Sequence, residues 1–415
     1  MIKLKKALIS LFIILICIFT VLNFDVAYAN PGWLTGWTYR KSHVINYAAG
    51  AGTNYQVKVT VHYGAGTDSG ADVYLNSHSR TDFGDVRFTD NDQTTLLDYW
   101  MESKTDSNNA VFWVEVADDL STVNQTVYIY YGKSDATTTS NGFNTFNLFD
   151  DFNRANNSAV GNGWTEDEDA GVGALSIDTN TLKIIQYQNY FCHIEKAGPA
   201  ISTLVLQGKL KIGSNAGVSW MPAIFIYWGT YNWCCVGIQQ NTVQVAYNKD
   251  GTVSGSGGGT LSTNTWYYIR IRVTSDTVYF DYSTDGETWN AVPNAASTSR
   301  PSSWDGNPAL ILGGKGYSQN AGAYSNSDLD NNYSSSGASG THYIDDILCR
   351  KYVSPEPSHG SWGSEETAGN FSFPFSEMIS PSATLSQLQE HVSTLTEIII
   401  FFALIAGNFL VLGIL

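Results

Sequence analysis

Five tyrosine and tryptophan residues crowd one short stretch of the chain: Trp220, Tyr227, Trp228, Tyr231 and Trp233. Tyr317 and Tyr324 stand further on, in a Gly/Ser/Asn-rich segment. Aromatic faces stack on sugar rings, and the phenol or indole edge adds a hydrogen bond. These seven are therefore candidate glycan contacts. Alternation works against each one singly, because half the aromatics of a half-buried strand face the core. Cleaving a glycan would need two carboxyl groups about 5–10 Å apart. Glu195 and Glu287 are available, but no dense signature such as Glu-x-Asp-x-x-Glu occurs. Gly255-Ser256-Gly257-Gly258-Gly259 does not fit the G-x-S-x-G elbow. No catalytic residue is assigned.

Strands must carry these side chains. From Trp33 to about Asn147 the runs HVINY, YQVKVTVHY, DVRFTD, TLLDYWME, AVFWVEVAD and TVYIYYG alternate or stay apolar. Turn residues separate them, and no 3.6-residue period appears. An antiparallel sandwich is predicted over residues 30–147. A second block, 148–352, holds TLKIIQYQ, TLVLQGKLKI, PAIFIYWG, CCVGIQ, TVQVAYN, TWYYIRIRVTS, TVYFDYSTDG and HYIDDILCRKY. Its loops at 251–260 and 318–340 are long and polar, the kind of segment that carries binding on a rigid sheet. Pro355, Pro357, Pro374 and Pro381 then mark 353–381 as a linker.

The two ends set the location. Lys3, Lys5 and Lys6 precede an apolar run, and Ala27-Tyr28-Ala29 follows, so residues 1–29 read as a signal peptide. Ile398 to Leu415 is an uncharged apolar run. At about 1.5 Å per helical residue it nearly spans a hydrocarbon core of about 30 Å. Residues 382–415 are thus expected to form a stalk and a transmembrane helix. Leu385, Leu388, Val392, Leu395 and Ile399 keep a 3-4-3-4 spacing, which would pair copies of the chain through residues 385–399. The predicted topology is an exported protein anchored by its C-terminus.

Net charge is −16, and without residues 1–29 it becomes −18. Such an excess excludes nucleic acid and anionic lipid as natural partners. Cys192, Cys234, Cys235 and Cys349 remain after signal removal. Export permits disulfides, four cysteines allow three pairings, and a buried free thiol at Cys234 or Cys235 stands level with a single disulfide. Neighbouring Cys234 and Cys235 should face opposite sides of a strand.

Ordered motifs add a resemblance. Gly36-Trp37-Thr38-Tyr39-Arg40-Lys41, Asp85-Val86-Arg87-Phe88-Thr89-Asp90, Leu97-Asp98-Tyr99-Trp100-Met101-Glu102, Phe112-Trp113-Val114-Glu115-Val116 and Ile129-Tyr130-Tyr131-Gly132 follow one another. Residues 33–147 resemble the domain of unknown function 2341, found in exported archaeal and bacterial proteins. Asp150-Asp151-Phe152, Gly163-Trp164, Asn264-Thr265-Trp266-Tyr267, Asp281-Tyr282-Ser283-Thr284-Asp285-Gly286 and Ile344-Asp345-Asp346-Ile347 follow. With them, residues 148–350 are similar to a concanavalin A-like, laminin G-type jelly roll. That resemblance implies paired first and last strands, sugar or protein binding, and in some cases calcium. Pairing would bring Asp150 towards Asp345 or Asp346 as calcium ligands, since the ion wants six to eight oxygens.

The expectation is an all-β chain of two tandem antiparallel sandwiches, the second a jelly roll, with a C-terminal transmembrane helix. Its function is non-catalytic binding of glycan or another extracellular polymer at the cell surface. The rival readings are an adhesion component that binds protein partners and a glycan-cleaving hydrolase.

Overall fold

The computed structural model describes residues 32–168, 174–187, 192–214, 223–239, 241–314 and 339–368. The expected signal peptide, the stalk and membrane helix at 382–415, the 385–399 heptad, Trp220, Tyr317 and Tyr324 lie outside them. Among the described residues no helix is long and apolar enough to cross a membrane.

Strand alternation builds nearly everything. Strands β1 (Tyr39–Asn46), β2 (Tyr55–His62), β3 (Asp72–Tyr74), β4 (Arg87–Thr89), β5 (Tyr99–Thr105), β6 (Asn109–Val116) and β7 (Gln125–Tyr131) come first. In β2, Val57, Val59 and Val61 point inward while Lys58, Thr60 and His62 point out, the period of two that a one-sided strand requires. Two sheets result, one ordered β1-β7-β4 and one ordered β3-β2-β6-β5. Ile45, Tyr55, Phe88, Phe112 and Ile129 fill the space between them. All pairings are antiparallel except β2 with β3.

A short helix α1 (Gly142–Thr145), capped by the Asn141 side chain, leads into the second sandwich. Its strands are β8 (Leu148–Asp150), β9 (Thr165–Glu168), β10 (Ala174–Asp178), β11 (Thr181–Tyr187), β12 (Cys192–Ala197) and β13 (Leu204–Ser214). They continue with β14 (Ala223–Gly229), β15 (Asn232–Gln239), β16 (Thr242–Lys249), β17 (Thr252–Thr260), β18 (Trp266–Val273) and β19 (Thr277–Ser283). Last come β20 (Asn290–Ala291), β21 (Ser297–Ser299), β22 (Ala309–Gly314) and β23 (Ser339–Lys351). One sheet runs β10-β11-β23-β13-β18-β19-β20, with β8 on β23 and β21 on β19. The facing sheet runs β17-β16-β15-β14-β22-β12-β9. Leu206, Leu210, Ile226, Val236, Ile269 and Phe280 pack between them, as in a jelly roll. First and last strands do pair, with Asp150 opposite Ile347.

The linker expectation fails for its first half. Residues 358–367 form β24 (Ser358–Trp362) and β25 (Glu366–Thr367), and both pair antiparallel with β1. The chain thus returns to complete the first sandwich, and the second is nested between β7 and β24 instead of following in tandem. Proline density suggested a linker, but Pro355 and Pro357 lie ahead of β24, where no ladder N–H is needed. Side chains hold the returning segment as well. His43 Nε2 and His359 Nδ1 are 2.8 Å apart in one N–H···N bond. Trp362 stacks on His43 at 3.6 Å between centroids and donates Nε1–H to the Gly70 carbonyl at 3.0 Å. Glu365 accepts from Tyr131 Oη at 2.7 Å, and Glu366 pairs with Arg40.

Burial holds the His43 imidazole down to about 3, with the neighbouring His359 adding to the effect, and burial lowers His359 too. Both rings are therefore neutral in the fold, while the unfolded chain takes up protons at the ordinary histidine value of about 6.5. Their contribution is complete above that value and is lost as pH falls towards the folded values. The thermal midpoint is expected to drop between pH 6.5 and 4, and His43→Asn to make the drop shallower. Equal drops in both proteins would rule out the histidine pair as the source.

Candidate functional site

The acidic pairs at the two ends of the second sandwich do different work. Asp150 lies on the interior side of β8 and is fully buried. One oxygen accepts from Phe152 N–H (2.8 Å) and Arg154 Nη1 (2.7 Å). The other accepts from Arg154 Nη2 (3.2 Å), Asn162 Nδ2 (2.8 Å) and Trp164 Nε1 (2.7 Å). These donors use up its lone pairs, so Asp150 as a calcium ligand is corrected to an internal anchor. The Asp150-Asp151-Phe152 and Gly163-Trp164 motifs converge on this one knot.

Asp345 and Asp346 face the other way. Alternation predicts that only one of them points outward, yet both do. Ile344 and Ile347 are both in the core, so the strand carries an extra residue between them. The register against β13 slips between Gln207 and Lys209, and Asp346 adopts φ +46°. This is a β-bulge, which re-aims a side chain at the cost of one ladder position. Asp346 pairs with Lys209. Asp345 is pushed up to about 8 by burial first, then by the charges of Asp346 and Asp151. Among the described residues no group of three or more His, Cys, Asp or Glu side chains is placed to hold a metal ion.

The aromatic candidates divide by strand face. Trp233 is 2% exposed and packs beside Phe225, Cys235 and Ile311, which corrects it from a surface contact to a packing residue. Tyr227, opposite it in register, is half-buried against the same cluster. Trp228 points to the other side, stacked on the buried Trp304 ring at 5.0 Å and 8°. Tyr231 sits at the tip of the β14–β15 hairpin and is 50% exposed. The tip is tied down: Asn232 Oδ1 accepts from Ser303 Oγ (2.8 Å) and from Asp250 N–H (3.2 Å). Trp304 Nε1 donates to the Asn248 carbonyl. Trp228 and Tyr231 thus share a braced hairpin with ring surface turned to solvent at Tyr231.

Where the two sandwiches meet, Trp100, Trp113, Phe146, Phe149 and Leu348 form a buried apolar wedge. Beside it Lys58 binds two carboxylates, Glu102 at 3.0 Å and Glu287 at 2.6 Å. Burial works against this ammonium, but the two negative charges outweigh it and hold its pKa above the ordinary value. Past this bridge the sandwiches part into a cleft of about 230 Å³. Sequence reading missed it, because its walls come from strands far apart in the chain. Glu195 lies on β12 of the opposite sheet, paired with Ile311, and is not brought to Glu287.

The four cysteines are buried, and Cys234, Cys235 and Cys349 are thiols. Cys234 faces the sandwich interior and Cys235 the outer cluster, as alternation requires. Burial pushes the Cys235 thiol up to about 12, so it is no nucleophile at neutral pH.

Residues 82–167 match a family described as Domain of unknown function (DUF2341). The match begins later than the resemblance suggested and crosses into the second sandwich. Motif residues within it are scaffolding: Asp85 accepts from the backbone N–H groups of Arg80, Gly132 and Lys133. No curated protein matches the chain. Among solved structures it is similar to the GH43 BlXynB protein from Bacillus licheniformis, at 15% identity and TM-score 0.35. That likeness covers 62% of this chain and 46% of that one, so the chain spans under half of its length. It is also similar to the laminarinase catalytic domain from Thermotoga maritima MSB8, at 13% identity and TM-score 0.34, covering 50% and 98%. A functionally unknown protein from Saccharomyces cerevisiae is similar at 9% identity and TM-score 0.33, covering 46% and 97%. Likenesses this distant decide neither site nor activity.

Replacing Asp150 with Ala strands Arg154 and the Trp164 indole, and the expected cost is about 3–5 kcal/mol. The loss should be the same with calcium or with chelator in a denaturation experiment. A wild-type midpoint that falls on chelation would show instead that a metal ion stabilises the fold.

Proposed function

We propose that this protein binds glycan or another extracellular polymer without cleaving it, using the aromatic tip of the β14–β15 hairpin. The observation that carries the reading is Tyr231: a half-exposed ring on a hairpin braced by Asn232, beside Trp228 held flat on Trp304. A large ring that stays in water on a rigid support is a costly way to fill a surface and an economical way to stack on a sugar, since little conformational entropy is lost on binding. Glu102 and Glu287 are both engaged by one ammonium, which favours binding over two-carboxylate hydrolysis. The apolar runs at both ends support export and anchoring at an archaeal or bacterial surface, with the binding sandwich outward.

On a glycan array the full-length protein should bind at least one polysaccharide class. Tyr231→Ala should weaken that binding by about tenfold, near 1.4 kcal/mol, with an unchanged thermal midpoint. No binding, or binding indifferent to Tyr231, would favour an adhesion role through protein partners. Turnover of a polysaccharide that disappears in Glu287→Ala would make the protein a hydrolase instead.

A further inference from the structure

The cleft between the sandwiches has a composition that selects its ligand. One wall is the outer face of β2, β5 and β6, with Thr60, Ser103, Asn109 and Val111; the other is Tyr268 and the turn after β19. Its one cation is already committed, and its lining is negative on balance. Lys58 is shared by Glu102 and Glu287, and donates to the Gly286 carbonyl at 3.4 Å. Glu102 also accepts from Trp113 Nε1 at 3.2 Å. Asp285 accepts from Ser283 Oγ and from the N–H groups of Glu287 and Thr288, which hold its carboxyl down to about 2. An incoming anion would have to take Lys58 from two carboxylates and approach the ionised Asp285 as well. Left to meet a ligand are the Oδ2 side of Asp285, two hydroxyls, one amide, the Val111 methyls and the Tyr268 phenol.

Hydrogen-bonding groups of both senses around a small apolar patch suit a neutral polyhydroxylated ring, with hydroxyl edges and an apolar face. The volume lies below the about 300–1,000 Å³ of drug-sized pockets, so it takes one ring and not an oligomer. We infer that the inter-sandwich cleft is a second saccharide subsite, holding one neutral sugar unit between Tyr268 and the Thr60–Asn109 wall. This rests on the glycan-binding reading and adds to it a place on a different part of the molecule. The ion bridge at its inner end fixes the spacing of the two walls, so the subsite is formed before the ligand arrives.

The test uses the full-length protein with cello-, laminari-, xylo-, manno- and chitohexaose, read by calorimetry. Asn109→Ala removes the amide, and Ser103→Trp fills the cleft from an exposed position that tolerates a larger side chain. Each should weaken the bound hexaose by about tenfold while leaving the thermal midpoint in place. If both cleft variants bind as wild type while Tyr231→Ala is weakened, the subsite is wrong and the hairpin reading stands. If no hexaose binds wild type, both fall.

Discussion

One pairing decides the architecture: β24 and β25 laid against β1. Without it the first sandwich has an open edge along β1, with unpaired N–H and C=O groups that invite another strand. With it, more than half of the described chain becomes an excursion that leaves after β7 and must come back. The second sandwich meets that demand because its own first and last strands, β8 and β23, are hydrogen-bonded neighbours. Its entry and exit therefore lie side by side, close to the sheet it left.

The junction itself is built in layers of decreasing burial. The Trp100–Trp113–Phe146–Phe149–Leu348 wedge removes apolar surface from both sandwiches and gives the contact its strength. Arg350 lies over Trp113 at 5.0 Å and reaches Glu356, so the strand that ends the second sandwich is pinned to the segment that re-enters the first. The Lys58 bridge comes next, and the bulge at Asp345–Asp346 lines up two more carboxyl groups on the same side of β23. Negative charge is crowded here, as the upward displacement of Asp345 records.

Much of the fold was legible in the sequence. Alternation in runs such as TWYYIRIRVTS located strands correctly, since a half-buried sheet leaves no other pattern for Tyr267, Ile269, Ile271 and Val273. What escaped was long-range closure. Nothing local in Ser358–Trp362 says that its partner is β1, some three hundred residues earlier, and prolines just ahead of it argued for a linker. The site was less legible. Trp233 and Tyr231 are both aromatic and two residues apart, yet one is packed and the other exposed. Local spacing does not say where the hairpin turns. Asp150 read as a ligand because acidity is visible in sequence, whereas the Arg154, Asn162 and Trp164 donors that satisfy it are visible only in three dimensions.

Pairing of Tyr39 with Thr367 has a mechanical meaning. The described unit begins and ends at the same spot, so tension arriving along the chain from either side enters β1 and its partner strand first. The second sandwich hangs off the line between them, like a side loop on a taut cord. It carries the hairpin and one wall of the cleft, and it is shielded from pulling until β25 and β24 have peeled away.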